Sequence, residues 1–135
     1  MHHIEPNIWA IFVAAIVKFV IGMIWYAPPV FGASWMKLTR CTPEKFKSAM
    51  PKIFAGDLIG NLVMAFILAH FVRWLGATSA LEGASVGFHC WLGFVAVVTF
   101  TFMLYEQRPF KLFLINNGFQ LISLMAMGAI LAVWI

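Results

Sequence analysis

Long apolar runs, separated by short polar and basic segments, set the pattern of this chain. Four stretches, residues 7–26, 52–73, 84–105 and 111–134, carry almost no charge. Each is long enough to cross a bilayer core, which takes about 20 helical residues. The pattern predicts an all-α polytopic membrane protein. It forms a single domain over residues 1–135, with four transmembrane helices and a short interfacial helix between helices 1 and 2.

Local signals set the boundaries. The first span runs from Asn7 to Tyr26 and stops before Pro28-Pro29, which cannot continue a helix interior. The next stretch, Phe31 to Met50, is aromatic and basic. Within it Thr42 can cap a helix whose first position is Pro43, with Glu44 near its positive end. Phe46, Ala49 and Met50 give that helix an apolar side, which places it in the interface. A second span is then expected from Pro51 to Trp74, a third from Glu82 or Gly83 to Tyr105, and a fourth from Phe110, after Pro109, to Ile135. The last two connections are short, so both hairpins are expected to be antiparallel neighbours.

Composition agrees: 63% of the 135 residues are apolar and 10% charged, with a mean hydropathy of +0.93. A soluble domain is roughly half apolar and about a quarter charged. The formal charge of +4 does not point to nucleic acid, because the basic residues lie in short loops without a basic helical face or an RNA-binding signature. Membrane lipids with anionic headgroups are the expected partner. The basic residues also orient the chain. Lys37, Arg40, Lys45, Lys47 and Lys52 follow the first span, and Arg108 and Lys111 follow the third; the other side carries only Arg73. Both termini are expected outside, away from the cytoplasm. Trp9, Trp25, Tyr26, Trp35, Trp74, Tyr105 and Trp134 lie near the expected boundaries, as interfacial aromatics do. No Lys or Arg precedes the first span and Lys18 interrupts it, so it does not read as a signal peptide. Met1-His2-His3 is too short to read as a tag. Cys41 lies in a loop and Cys90 in a span, which argues against a disulfide.

The few polar groups inside the spans are the best chemical clues. Lys18 sits near the middle of the first span, roughly 12 Å from its Tyr26 end. A charged lysine there is costly unless it snorkels, pairs or meets water. Asp57, roughly 8 Å beyond Lys52, is its expected partner. Asn61 lies one turn further along. Asn116 and Gln120 share a face of the fourth span and enter from the same side as Asp57. Lys18, Asp57, Asn61, Asn116 and Gln120 are therefore expected to form one intramembrane polar layer, either as helix-packing hydrogen bonds or as the wall of a hydrated cavity.

On the outer side, His70 and His89 are candidates to share a proton or sense pH. Two nitrogens without further ligands do not make a metal site, so no metal or cofactor is expected. Gly56 and Gly60 form one GxxxG step, and Gly83 and Gly87 another, each allowing close helix approach within or between chains. No HExxH, phosphate-cradling loop or nucleophile–base set occurs, and no catalytic residue is assigned.

The segment Gly22-Met23-Ile24-Trp25-Tyr26-Ala27-Pro28-Pro29-Val30-Phe31-Gly32-Ala33-Ser34-Trp35-Met36 combines a span end, a proline break and placed aromatics. It resembles the GxxWYxPxxFGxxW pattern of the DUF1761 family of uncharacterised bacterial integral-membrane proteins. The resemblance implies a small four-span membrane protein and carries no activity. Read physically, Gly22 permits close helix contact, and Trp25 and Tyr26 anchor the span end. Pro28 and Pro29 break the helix, and Gly32, after Phe31, allows a tight backbone before Trp35 returns to the interface. The segment serves either as an anchoring turn or as a lid over the polar layer.

Three functions follow as expectations. The first is a channel or transporter for a small ion or polar solute. Four helices alone leave little room for a pore, so a homo-oligomer would place the pathway on its symmetry axis. The second is a non-catalytic membrane scaffold or accessory subunit. The third, a lipid- or quinone-acting enzyme using His70, His89 and Glu82, is disfavoured by the lack of a nucleophile–base set.

Overall fold

The computed structural model describes residues 7–134, and the N-terminal Met1-His2-His3 and the terminal Ile135 lie outside them. Six α-helices follow in order: α1 Ile8–Trp25, α2 Ala33–Thr39, α3 Pro43–Trp74, α4 Ala80–Cys90, α5 Val97–Glu106 and α6 Phe110–Val133. A π-helical turn, Pro28–Gly32, leads into α2, and a second, Trp91–Ala96, joins α4 to α5. Residues Ala80–Glu106 thus form one continuous rod. With α1, α3 and α6 it makes four helices long and apolar enough to span a membrane. No strand occurs among the described residues.

The ends of the helices follow from their capping residues. Asn7 accepts hydrogen bonds from the N–H groups of Trp9 and Ala10 to start α1. Thr42 accepts from Lys45 N at 3.2 Å to start α3. Ser79 accepts from Glu82 N, while the Glu82 carboxylate accepts from Thr78 N, so the two form a reciprocal cap on α4. Gly76, at φ +71, supplies the left-handed residue that ends the α3 turn.

One boundary differs from expectation. The helix started by Thr42 and Pro43 does not end before Pro51; it runs on through it to Trp74. The segment expected to lie in the interface is the first part of a helix about 48 Å long. The short helix between spans 1 and 2 is instead α2, Ala33–Thr39. Pro51 deletes only its bond to the Lys47 carbonyl, and Lys47 and Pro51 are both exposed, where solvent can replace it.

Packing centres on α6, which buries residues along its whole length, from Leu112 to Ala132. It contacts α1, α3 and above all α4; the sequential pair α3 and α4, joined by a short turn, touch much less. Glycine explains the choice. A Cβ on Gly83 would overlap the Gly128 carbonyl, one on Gly128 would overlap the Gly83 carbonyl, and one on Gly87 would overlap the Leu124 carbonyl. The two backbones touch directly, as small-residue steps allow. The other GxxxG step behaves differently: Gly56 and Gly60 have nothing within 4 Å of an added Cβ. Every residue from Pro51 to Gly60 is left exposed by the chain itself. The half of the bundle toward the N-terminal end of α1 is filled by Ala10, Ile11, Ala14, Ala15, Ala65, Leu68, Val72, Leu124 and Met127.

Candidate functional site

The ends of α1 and α5 and the start of α6 meet α2 at one end of the bundle. This end, which carries Lys37, Arg40, Lys45, Lys47, Arg108 and Lys111, is called the basic end below. The Gly22-to-Trp35 segment is bound to α6 through both of its span-end aromatics. The Trp25 indole N–H donates to the Ile115 carbonyl at 2.9 Å, and the Tyr26 hydroxyl donates to Asn116 Oδ1 at 2.7 Å. Gly22 lets the Phe119 ring approach to 3.2 Å of its Cβ position, and Gly118 lets Trp25 do the same at 3.0 Å. Tyr26 lies edge-on to both Trp35 and Phe119, and Phe31 stacks at a tilt against Trp25.

Pro28 and Pro29 stop α1 but do not open a free loop. The Ala27 carbonyl accepts from both Val30 N and Gly32 N, making a wide turn that feeds straight into α2. Gly32 is needed here for space, since a Cβ would overlap the Tyr26 carbonyl; its φ of −61 is ordinary.

Beneath this turn lies an open cavity of about 300 Å³. Trp35 and Thr39 of α2 form one side, and Thr99, Phe102, Met103 and Glu106 of α5 another. Arg108, Leu112, Phe113, Asn116 and Asn117 complete it. Asn117 is 4% exposed and both ends of its amide are engaged: its oxygen lies 2.8 Å from the Thr99 hydroxyl, and its Nδ2 donates to the Phe113 carbonyl. The Trp91 indole donates to the Asn117 backbone carbonyl at 3.0 Å, which fixes the π-helical turn of the third span against α6. Asn116 lines the cavity, with its oxygen taken by Tyr26.

The polar layer lies deeper. Lys18, 4% exposed, donates to Asn61 Oδ1 at 2.7 Å, and Asn61 Nδ2 lies 3.5 Å from Asp57 Oδ2. The direct Lys18–Asp57 pair expected from the sequence is replaced by an amide relay. The Lys18 ammonium also sits 5.0 Å from the centroid of the Phe119 ring, a cation–π distance. On α6, one and two turns beyond Asn116, the Gln120 Oε1 and Ser123 Oγ atoms are buried without any hydrogen-bond partner. Two orphaned polar atoms in an apolar interior are costly unless water reaches them.

The five expected layer residues therefore divide. Lys18, Asn61 and Asp57 are joined in one chain of contacts, Asn116 belongs to the cavity, and Gln120 is half-buried with its inward oxygen unpartnered. Sequence reasoning did not place Asn117, Thr99, Ser123 or Trp91. A signal for Trp91 was present, a tryptophan far from either end of its span; single Thr and Ser residues give none.

The outer histidines are not brought together. His70 Nδ1 bonds the Phe66 carbonyl and His89 Nδ1 bonds the Ser85 carbonyl, each on its own helix. Glu82 is engaged in capping α4. No group of three metal-ligating side chains occurs among the described residues.

No curated protein and no solved structure matches the chain. A family model matches nearly all of it, residues 9–132, and the chain belongs to DUF1761, a family described as proteins of unknown function.

Proposed function

We propose that this protein moves a small polar solute or ion across a bacterial inner membrane, entering or leaving by the cavity at the basic end. The carrying observation is the α6 stripe of Asn116, Gln120 and Ser123. It starts in the open cavity and ends at two buried polar atoms without protein partners. Polar groups are expensive in a span and cluster on solute and ion paths. The stripe supports a hydrated route inward from the cavity. The apolar packing of the other half of the bundle supports reading this conformation as open toward the basic end only. With Lys52, seven basic residues lie toward this end against Arg73 alone toward the other, which favours a cytoplasmic basic end with both termini outside.

Stopped-flow swelling of proteoliposomes, with urea, glycerol and potassium acetate as separate osmolytes, tests the proposal. At least one should enter faster than into protein-free liposomes of the same lipid, and Gln120→Leu should remove the difference. Identical swelling with and without protein for all three would overturn it.

A second reading, a non-catalytic scaffold or accessory subunit, is favoured by the uncovered face of α3 at Gly56 and Gly60. The same face suits a second copy of the chain in a homo-oligomer. Nothing in the site supports a catalytic role.

A further inference from the structure

We infer that the cavity at the basic end recognises a small zwitterion, a molecule carrying a phosphate or carboxylate at one end and an ammonium at the other. The inference rests on the transport reading above and narrows its substrate class.

It starts from two charges on the cavity wall. Glu106 is the last residue of α5, Gln107 turns the chain in the left-handed region at φ 56, and Arg108 follows, one residue before the Pro109 cap of α6. The carboxylate has the wrong sign for its helix. A helix C-terminus is electronegative and favours a cation, yet α5 ends in Glu106, while Arg108 closes the cap of α5 by donating its N–H to the Met103 carbonyl at 3.1 Å. Membrane topology accounts for basic residues at this end but not for Glu106 beside them. A local rule broken at Glu106, on a cavity wall that also carries Arg108, is the pattern of a site whose charge serves a ligand.

The turn therefore presents two poles. Near Glu106, the carboxylate and the free carbonyls of α5 attract an ammonium. Near Arg108, the guanidinium attracts an anionic oxygen. Neutral groups complete the site: the spare Asn116 NH₂ as a donor, and the Thr99 and Thr39 oxygens as acceptors. At about 300 Å³ the cavity lies at the small end of ligand sites. It suits a compact group such as a phosphoethanolamine or an amino acid. The same chemistry occurs on a free solute and on the headgroup of a phosphatidylethanolamine lipid.

Equilibrium dialysis of radiolabelled phosphoethanolamine tests the inference, with the full chain in phosphatidylglycerol nanodiscs, which offer phosphate but no ammonium. Binding should saturate, and ethylamine or inorganic phosphate should compete poorly. Arg108→Gln and Glu106→Gln should each weaken binding about ten-fold, as loss of a charged hydrogen bond at a partly wet site does. If nanodiscs doped with phosphatidylethanolamine block the site, the headgroup is the ligand; if they leave binding unchanged, the free solute is. Either outcome supports the zwitterion site. Unaltered binding in both variants, or no saturable binding, would overturn it. Swelling on the same two variants separates the claims. Urea or glycerol flux that persists beside absent phosphoethanolamine binding removes the zwitterion and keeps transport, whereas absence of any flux removes transport first.

Discussion

Replacing Asn61 with leucine should destabilise the protein by about 3–5 kcal/mol, the cost of removing one partner from a buried charge. Lys18 is 4% exposed, and Asn61 Oδ1, at 2.7 Å, is the acceptor that its ammonium reaches. In the variant that ammonium keeps no hydrogen-bond acceptor of its own, only the Phe119 ring at 5.0 Å, worth about 2 kcal/mol when desolvated, and the longer-range pull of Asp57. The double variant Lys18→Met, Asn61→Leu removes both partners and should regain most of the loss, because an apolar pair of similar volume carries no desolvation penalty. Unfolding in mixed detergent and SDS micelles, followed by tryptophan fluorescence, reads both. An Asn61→Leu protein as stable as the parent would mean that water already solvates Lys18 and that the amide relay does not hold the helices.

Gly83→Val should cost about 3 kcal/mol or more, the upper range of overpacking. The obstruction is the Gly128 carbonyl, which is backbone in the middle of α6 and cannot swing aside as a side chain can. Gly56→Val supplies the contrast. With nothing within 4 Å of its Cβ position, it should change the stability of the single chain by less than about 0.5 kcal/mol. The same unfolding assay checks the pair. If the α3 face is the seam between copies, Gly56→Val will additionally lower the oligomer mass in nanodiscs while leaving the fold intact.

These two glycines show what was legible in the sequence. GxxxG at 56–60 and at 83–87 look alike in one dimension, and both read as close-contact steps. Which one is used depends on the partner helix: Gly128 on α6 meets Gly83, and no described element meets Gly56. The four spans were readable because apolar length is a local quantity, and Thr42 and Pro109 marked true helix starts, whereas the third span begins at Ala80, behind a Ser79 cap, ahead of the expected Glu82 or Gly83. Pro51 misled because proline ends a helix only when the missing hydrogen bond cannot be replaced, and here it falls among exposed residues. The Lys18–Asp57 pairing was one helical turn short. Asn61, one turn along, turned inward and took the lysine, while Asp57 stayed on the uncovered face. The cavity was half legible. The aromatic motif and Asn116 stood out, but the side contributed by Thr99 and Glu106 needs the π-helical turn at Trp91–Ala96 to present it.

The account rests on water reaching the α6 stripe from the basic end. The most direct measurement is thiol reactivity of Gln120→Cys, in a chain whose own Cys41 and Cys90 are replaced by serine and alanine. Proteoliposomes of each orientation would be treated with a charged, membrane-impermeant methanethiosulfonate. The account predicts modification when the basic end faces the reagent and little from the other face. A thiol that reacts from neither face, yet reacts fully once the protein is unfolded in SDS, would mean a dry interior and would contradict the hydrated route.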